Sequence, residues 1–103
     1  MSWVTNISSF KDFLSLVIVH APDDFPQEDF LKLHEQLSLE SAFHELSHGL
    51  TLMVQSGVSA NAITNLADLL EKSLASYRSG DDIAGAHLLQ ELESQAFGSP
   101  HAP

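Results

Sequence analysis

The sequence predicts an all-α fold, a compact antiparallel bundle of about five helices. Apolar residues recur at three- and four-residue spacing through most of the chain, a pattern typical of amphipathic helices. Ser, Asp and Gly stand where those stretches begin and end, as helix caps do. Connections of a few residues favour antiparallel neighbours. The 103 residues make one helical domain, predicted over 1–97, followed by a flexible C-terminal tail over 98–103.

The first helix is predicted from about Ser9 to Val19, with Ser9 as its N-cap and Asp12 three residues later. Its last turn, residues 16–19, is apolar on every side and rich in β-branched residues, which is typical of a helix buried all round or of a strand. An α+β fold with a short two-stranded element from residues 16–19 and 50–54 is therefore the alternative. The apolar stripe of the helix is Phe10, Phe13, Leu14 and Val17.

The second and third helices follow a loop that contains Pro22. Pro26 is placed to begin the short second helix, and residues 39–41 begin the third, which ends near Gly57. Rotation by 100° per residue places His44 and His48 nearly opposite the apolar side of the third helix, so both should face water. The apolar stripes are Phe30, Leu33 and Leu37 in the second helix, and Leu39, Phe43, Leu46, Leu50, Met53 and Val54 in the third.

The fourth helix is predicted to begin after Ser59, its N-cap, and to end at Gly80. Asp68 stands four residues before Lys72 on the outer face, and this spacing favours an ion pair. An amphipathic stripe of this length should bury one face against the other helices. Its members are Ile63, Leu66, Ala67, Leu70, Leu74 and Tyr77.

The fifth helix is predicted to begin after Asp81 or Asp82, either of which is a good N-cap, and to end at Gly98. Beyond Gly98 the chain has two prolines and no apolar anchor, which is typical of a frayed end. The apolar stripe of the fifth helix is Ala86, Leu89, Leu92 and Ala96.

The net charge of −10 arises from a shortage of bases: the chain has 14 Asp and Glu but only four Lys and Arg. The bases Lys11, Lys32, Lys72 and Arg78 are scattered, whereas nucleic-acid binding needs them clustered, so we expect no nucleic-acid partner. The acidic bias favours a basic protein partner. The sequence has no Cys and no run approaching the ~18 apolar residues of a membrane helix, so we expect a soluble, cytoplasmic protein without membrane association.

Residues 44–48 read His-Glu-Leu-Ser-His, which resembles the HExxH motif of the zincins, a class of zinc-dependent hydrolases. The resemblance implies that His44 and His48 bind zinc and that Glu45 is the general base. A third protein ligand is needed, and Glu71 is the best candidate, with Asp68 and His87 as the others. A compact zinc hydrolase is therefore the alternative function. Di-iron bundles use Glu-x-x-His on two helices, but this chain has no second copy.

The rotation of the third helix favours a different interpretation, because two histidines opposite the apolar stripe have no walled pocket in which to hold a catalytic zinc. The chain also has no convincing sheet edge to hold a substrate, no Gly-x-Ser-x-Gly elbow and no phosphate-binding loop. We therefore expect a non-enzymatic protein-binding module, such as an adaptor, an inhibitor or an immunity-type partner, with no cofactor and no metal.

Three apolar side chains are the candidate partner-binding residues. Trp3 precedes the first helix and is either a hydrophobic lid over the end of the bundle or an exposed anchor for a partner. Leu31 and Leu88 flank the apolar stripes of their helices without joining them, so we expect a second copy of the chain to cover part of this surface. The sequence thus predicts self-association as a homodimer. His34, beside the second stripe, is predicted to be a hydrogen-bonded boundary residue.

Overall fold

The computed structural model describes residues 3–21 and 38–98, and all regular structure in these ranges is helical. The helices are α1 (Ile7–His20), α2 (Leu39–Gln55), α3 (Ala60–Arg78) and α4 (Asp82–Phe97). The all-α prediction is confirmed. The two-stranded alternative is wrong, because residues 16–19 lie within α1 and residues 50–54 within α2. The predicted second helix, with Leu31 and His34, lies outside the described residues, as does the tail beyond Gly98.

The four helices are arranged so that each packs on two neighbours. α1 and α3 both contact α2 and α4, and they do not contact each other across the bundle; the α3–α4 contact is the most extensive. The core lies where the apolar stripes of the four helices meet. Its buried apolar members are Val4, Phe10, Phe13, Leu14, Val17, Ala42, Phe43, Leu46, Leu50, Met53, Leu66, Leu70, Tyr77, Leu89 and Leu92.

The start of α1 differs from the prediction. Asn6, not Ser9, is the N-cap: its Oδ1 accepts a hydrogen bond from the Ser9 backbone N–H at 2.8 Å, and Ser9 Oγ accepts one from the Asn6 N–H at 2.9 Å. This reciprocal pair satisfies two backbone donors that an N-cap at Ser9 would leave open. The prediction that Ser9 is the N-cap, with Asp12 as its reciprocal partner, is therefore wrong, because the N-cap lies three residues earlier.

The N-caps of α3 and α4 agree with those predicted from the sequence, whereas no N-cap was predicted for the helix that begins at residues 39–41. Ser38 and Ser41 form the same kind of reciprocal cap before α2, Ser59 accepts a hydrogen bond from the backbone of α3, and Asp81 does so for α4. Gly57, after α2, has a φ of 96°, a left-handed conformation that a residue with Cβ rarely adopts. The predicted starts and stops of three helices are confirmed.

Two valines depart from the expected burial. Val19 is 73% exposed, so the last turn of α1 is not buried all round. Val54 is 53% exposed although it was assigned to the buried stripe of α2. It lies at the edge of that stripe, beside the gap between α2 and α3. Both expectations are therefore wrong about these side chains.

Two glycines allow neighbouring helices to approach closely. A Cβ on Gly49 of α2 would lie 2.5 Å from Phe10 Cγ on α1, and a Cβ on Gly85 of α4 would lie 2.8 Å from the Tyr77 ring on α3. Ser73, fully buried on α3, donates a hydrogen bond from Oγ to the Gly85 carbonyl at 2.7 Å. The α1–α2 and α3–α4 contacts therefore each need a residue without a side chain at one point.

Candidate functional site

Glu45, the acid of the HExxH sequence, holds the N-terminal segment against α2. Its Oε1 accepts hydrogen bonds from the backbone N–H groups of Trp3, at 2.9 Å, and Val4, at 3.0 Å. The Val4 side chain is fully buried, and the Trp3 ring lies 5.9 Å from the Phe13 ring, centroid to centroid. One carboxylate oxygen of Glu45 therefore stabilises the position of the N-terminal segment on α2.

His44 and His48 are both exposed on α2, as the rotation of the helix predicted. They line a concave surface of about 340 Å³ together with Glu45, Ser47 and Thr51, all from the same helix. Ser47 and Thr51 donate their hydroxyl hydrogens to carbonyls one turn earlier in α2. The two imidazoles are thus the side-chain groups in this concavity with nitrogen lone pairs to offer a ligand.

The zinc-hydrolase alternative requires a third protein ligand beside the two histidines. Glu71 of α3 shares a separate groove with His44, and His48 does not line that groove. Within residues 3–21 and 38–98, no three His, Cys, Asp or Glu side chains lie close enough together to hold a metal ion. The other candidates are placed elsewhere: Asp68 forms an ion pair with Lys72 at 2.8 Å, and His87 is exposed on α4.

A groove of about 620 Å³ runs between α2 and α3. Its walls are mostly apolar, and they include the exposed Val54 and Ala67, which the core does not cover. Polar side chains follow the rims. The apolar residues are Phe43, Leu50, Val54, Ile63, Ala67, Leu70 and Leu74, and the polar ones are Glu40, His44, Ser47, Thr51 and Glu71.

Among the described residues, the carboxylates of Glu40 and Glu71 line the groove and no Lys or Arg does. Glu40 accepts hydrogen bonds from Arg78, at 3.0 Å from Nε to Oε1 and also from Nη2, and this pair joins the start of α2 to the end of α3. That hydrogen bond raises the pKa of Arg78, which stays cationic. Glu71 is exposed, with no ion pair among the described residues.

Tyr77 packs behind the groove, edge to face with Phe43 and with ring centroids 5.9 Å apart. Its hydroxyl is buried and has no hydrogen-bond partner in the described part of the chain. Burial raises the pKa of Tyr77, and the nearby charge of Asp82 adds to the rise. Tyr77 is therefore a neutral core residue that supports the groove wall.

Neither Trp3 nor Leu88, the two predicted partner-binding residues that the structure describes, lines the groove. Trp3 is partly buried against Phe13, which fits the lid interpretation. Leu88 is partly buried on α4, and Leu31 lies outside the described residues. Their roles in binding a partner or a second copy stay predictions.

The groove itself was missed from the sequence, although one signal pointed to it. The apolar stripes of α2 and α3 are wider than the core can cover, and Val54 and Ala67 are the surplus members. Their spacing places both in the predicted core, since the spacing of a stripe does not tell where a neighbouring helix stops covering it.

Among the described residues, no helix is long and apolar enough to cross a membrane. Comparison with known proteins identified no relative: no family model matches the chain, and neither a curated protein nor a solved structure matches it.

Proposed function

We propose that this protein is a non-enzymatic binding module that receives a basic amphipathic helix of another protein in the groove between α2 and α3. The observation that carries the proposal is the groove itself, with an apolar floor and the exposed carboxylate of Glu71 at its rim, on an acidic chain. Docking of an amphipathic helix in an apolar groove is a common mode of peptide recognition.

The shape of the groove suits a helix of several turns. Its lining on α2 extends from Glu40 to Val54, which spans about 21 Å at 1.5 Å per residue. A partner helix of about 15 residues has the same length and would place apolar side chains at positions i, i+3, i+7 and i+10 along the floor. Val54 and Ala67, which are exposed, would lose contact with water. Removal of apolar surface from water is the main favourable contribution to the free energy of such an association.

Charge favours a basic partner over a second copy of the chain. Glu71, which has no ion pair among the described residues, would face a flank of the bound helix, where a Lys or Arg side chain can reach it; Glu40 is already paired with Arg78. Two copies, each with a net charge of −10, would instead bring like charges together at the same rims. The predicted homodimer, if it forms, therefore needs another face, and light scattering at high protein concentration tests it.

The absence of catalysis in this proposal is supported by Glu45. Its Oε1 is engaged by two backbone N–H groups, whereas the general base of a zinc hydrolase must be directed at a metal-bound water. The described side chains also offer the two histidines no third ligand. Both observations favour binding over hydrolysis as the task of this surface.

The direct test uses two synthetic helical peptides of about 15 residues with identical Leu positions, one with Lys and one with Glu at its polar positions. Fluorescence anisotropy measures their affinities, and amide chemical shifts of the labelled protein locate the contact. We expect the Lys peptide to bind at least about tenfold more tightly at about 0.15 M salt, with shifts along α2 and α3. No binding of either peptide, or shifts on α1 and α4 instead, would refute the proposal.

Two arginine variants separate binding in the groove from general attraction between a basic peptide and an acidic chain. Ala67 and Ala75 are both exposed on α3, but only Ala67 lines the groove. Ala67→Arg fills the groove and should lower the affinity for the Lys peptide at least about tenfold. Ala75→Arg adds the same charge elsewhere and should have a much smaller effect. Equal losses in the two variants would mean that only net charge matters.

A further inference from the structure

We propose that His44 and His48 form a two-imidazole binding site for a late first-row transition-metal ion such as Ni²⁺, Cu²⁺ or Zn²⁺, with water at the remaining coordination positions. This inference goes beyond the proposed function and does not rest on it. It also differs from a zincin centre, because it needs no third protein ligand and no catalytic base.

The spacing of the two histidines makes the pair a chelate. Residues four apart on a helix are separated by about 6 Å along the axis and 40° around it, so their side chains are neighbours on one face. His44 and His48 are both exposed, and neither is locked by the core in a direction that would keep the rings apart. Rotation of the two side chains can therefore direct one nitrogen of each ring at a shared ion.

The surroundings fit a hydrated cation. The concavity that His44 and His48 line has a volume of about 340 Å³, and a water molecule occupies about 30 Å³, so an ion can keep several waters there. No Lys or Arg of the described ranges lines this surface, and the carboxylate of Glu45 does. The net charge of −10 adds a general attraction for cations.

The donor chemistry selects among the cations. Imidazole nitrogen suits Ni²⁺, Cu²⁺ and Zn²⁺, whereas Mg²⁺ and Ca²⁺ prefer oxygen ligands. Only two protein donors and an open, wet surface lead to reversible binding, unlike a closed structural zinc site with four protein ligands. We therefore expect an exchangeable ion that leaves the fold intact when it is removed.

Calorimetric titration of untagged protein with NiCl₂ and ZnCl₂, and with MgCl₂ as the negative control, measures the site. We expect one Ni²⁺ per chain, no response to Mg²⁺, and an affinity lowered at least about tenfold in His44→Ala and in His48→Ala. Because both residues are exposed, neither substitution should change the helix content by circular dichroism. Binding that persists unchanged in both variants, one ion shared by two chains, or no binding by the wild type would each overturn the proposal.

Matched variants test the spacing rather than the number of histidines. His48→Ala/Thr51→His keeps two exposed imidazoles on α2 but separates them by seven residues, about 10.5 Å along the axis, which is too far for one ion. It should bind as weakly as His48→Ala alone. His87→Ala on α4, which does not line this concavity, should retain the affinity of the wild type. If the double variant bound the ion as tightly as the wild type, or if His87→Ala lost as much affinity as His48→Ala, binding would depend on the number of imidazoles and not on a chelating pair.

Discussion

Replacing Glu45 with alanine removes the acceptor for two backbone N–H groups at the start of the described chain. Those groups belong to Trp3 and Val4, and both hydrogen bonds end on Glu45 Oε1. With the carboxylate gone, the N–H groups must find water or remain without a partner. We expect the N-terminal segment to detach from α2 in this variant.

The magnitude follows from the kind of bond that is lost. A hydrogen bond to a charged group contributes about 1.5–3 kcal/mol, and the partial exposure of this pair places each bond at the lower end of that range. The destabilisation cannot exceed the cost of detaching the segment, because the segment detaches once leaving its N–H groups without an acceptor costs more. Detachment exposes Val4, which costs about 1.5–3 kcal/mol of burial. We expect Glu45→Ala to lower the free energy of unfolding by about 2 kcal/mol, or the melting temperature by roughly 10 °C. Glu45→Gln retains an uncharged acceptor and should lose about half as much.

The chain contains one tryptophan, so fluorescence reports on this segment directly. Trp3 is partly buried against Phe13, and its emission should move to longer wavelength when the segment detaches in Glu45→Ala. Urea unfolding followed by circular dichroism gives the free energy. Glu71→Ala, which removes an exposed carboxylate from α3, is the matched control and should change neither signal.

Two results would contradict this account of Glu45. If Glu45→Ala kept the emission and the unfolding free energy of the wild type, the two hydrogen bonds would not hold the segment in solution. If Glu45→Gln were as stable as the wild type but abolished a zinc-dependent hydrolytic activity, the carboxylate would be a catalytic base rather than a tether.

Three further predictions concern the packing of the helices. Gly49→Ala should destabilise the fold by about 1–3 kcal/mol in urea unfolding, because the new methyl group would overlap Phe10, and Phe10→Leu in the same chain should recover part of the loss. Tyr77→Phe should be neutral or stabilising by up to about 1 kcal/mol, since the buried hydroxyl has no partner within the described residues. Burial raises the pKa of Tyr77 above its ordinary value of 10.0, so the wild type should lose stability as the pH rises above 10 toward that raised value, and Tyr77→Phe should lose less over the same range. Ser73→Ala should cost about 0.5–1.5 kcal/mol through the bond to the Gly85 carbonyl, and an equally stable variant would show that this bond is unimportant.

The helices were predictable because their signals are local. Ser59 and Asp81 act on backbone groups within the next three residues, so their roles follow from the sequence alone. Ser38 carries the same local signal before α2, but it was not predicted as a cap. The start of α1 was placed too late because Ser9 has the chemistry of an N-cap and also that of the reciprocal residue three positions later. Only the conformation of Asn6 distinguishes these two roles.

Contacts between helices were not predictable, because they depend on which residues meet across an interface. Nothing near Gly49 in the sequence indicates that the Phe10 ring lies against it, 39 positions away along the chain. For the same reason the tether at Glu45 was missed, since its partners lie 41 and 42 residues earlier. The exposure of His44 and His48 was predicted correctly because it depends only on rotation within one helix.

The five residues from His44 to His48 show how one short motif can be divided among separate tasks. Leu46 is buried in the core, Glu45 ties the N-terminal segment to α2, and the two histidines stay in contact with water. A zincin needs the histidines and the acid to act together on one ion in a sheltered cleft. Here the acid is directed at backbone N–H groups, while the histidines are free to bind an exchangeable ion. The position of the acid, more than the presence of the two histidines, therefore favours the proposed binding module over a zinc hydrolase.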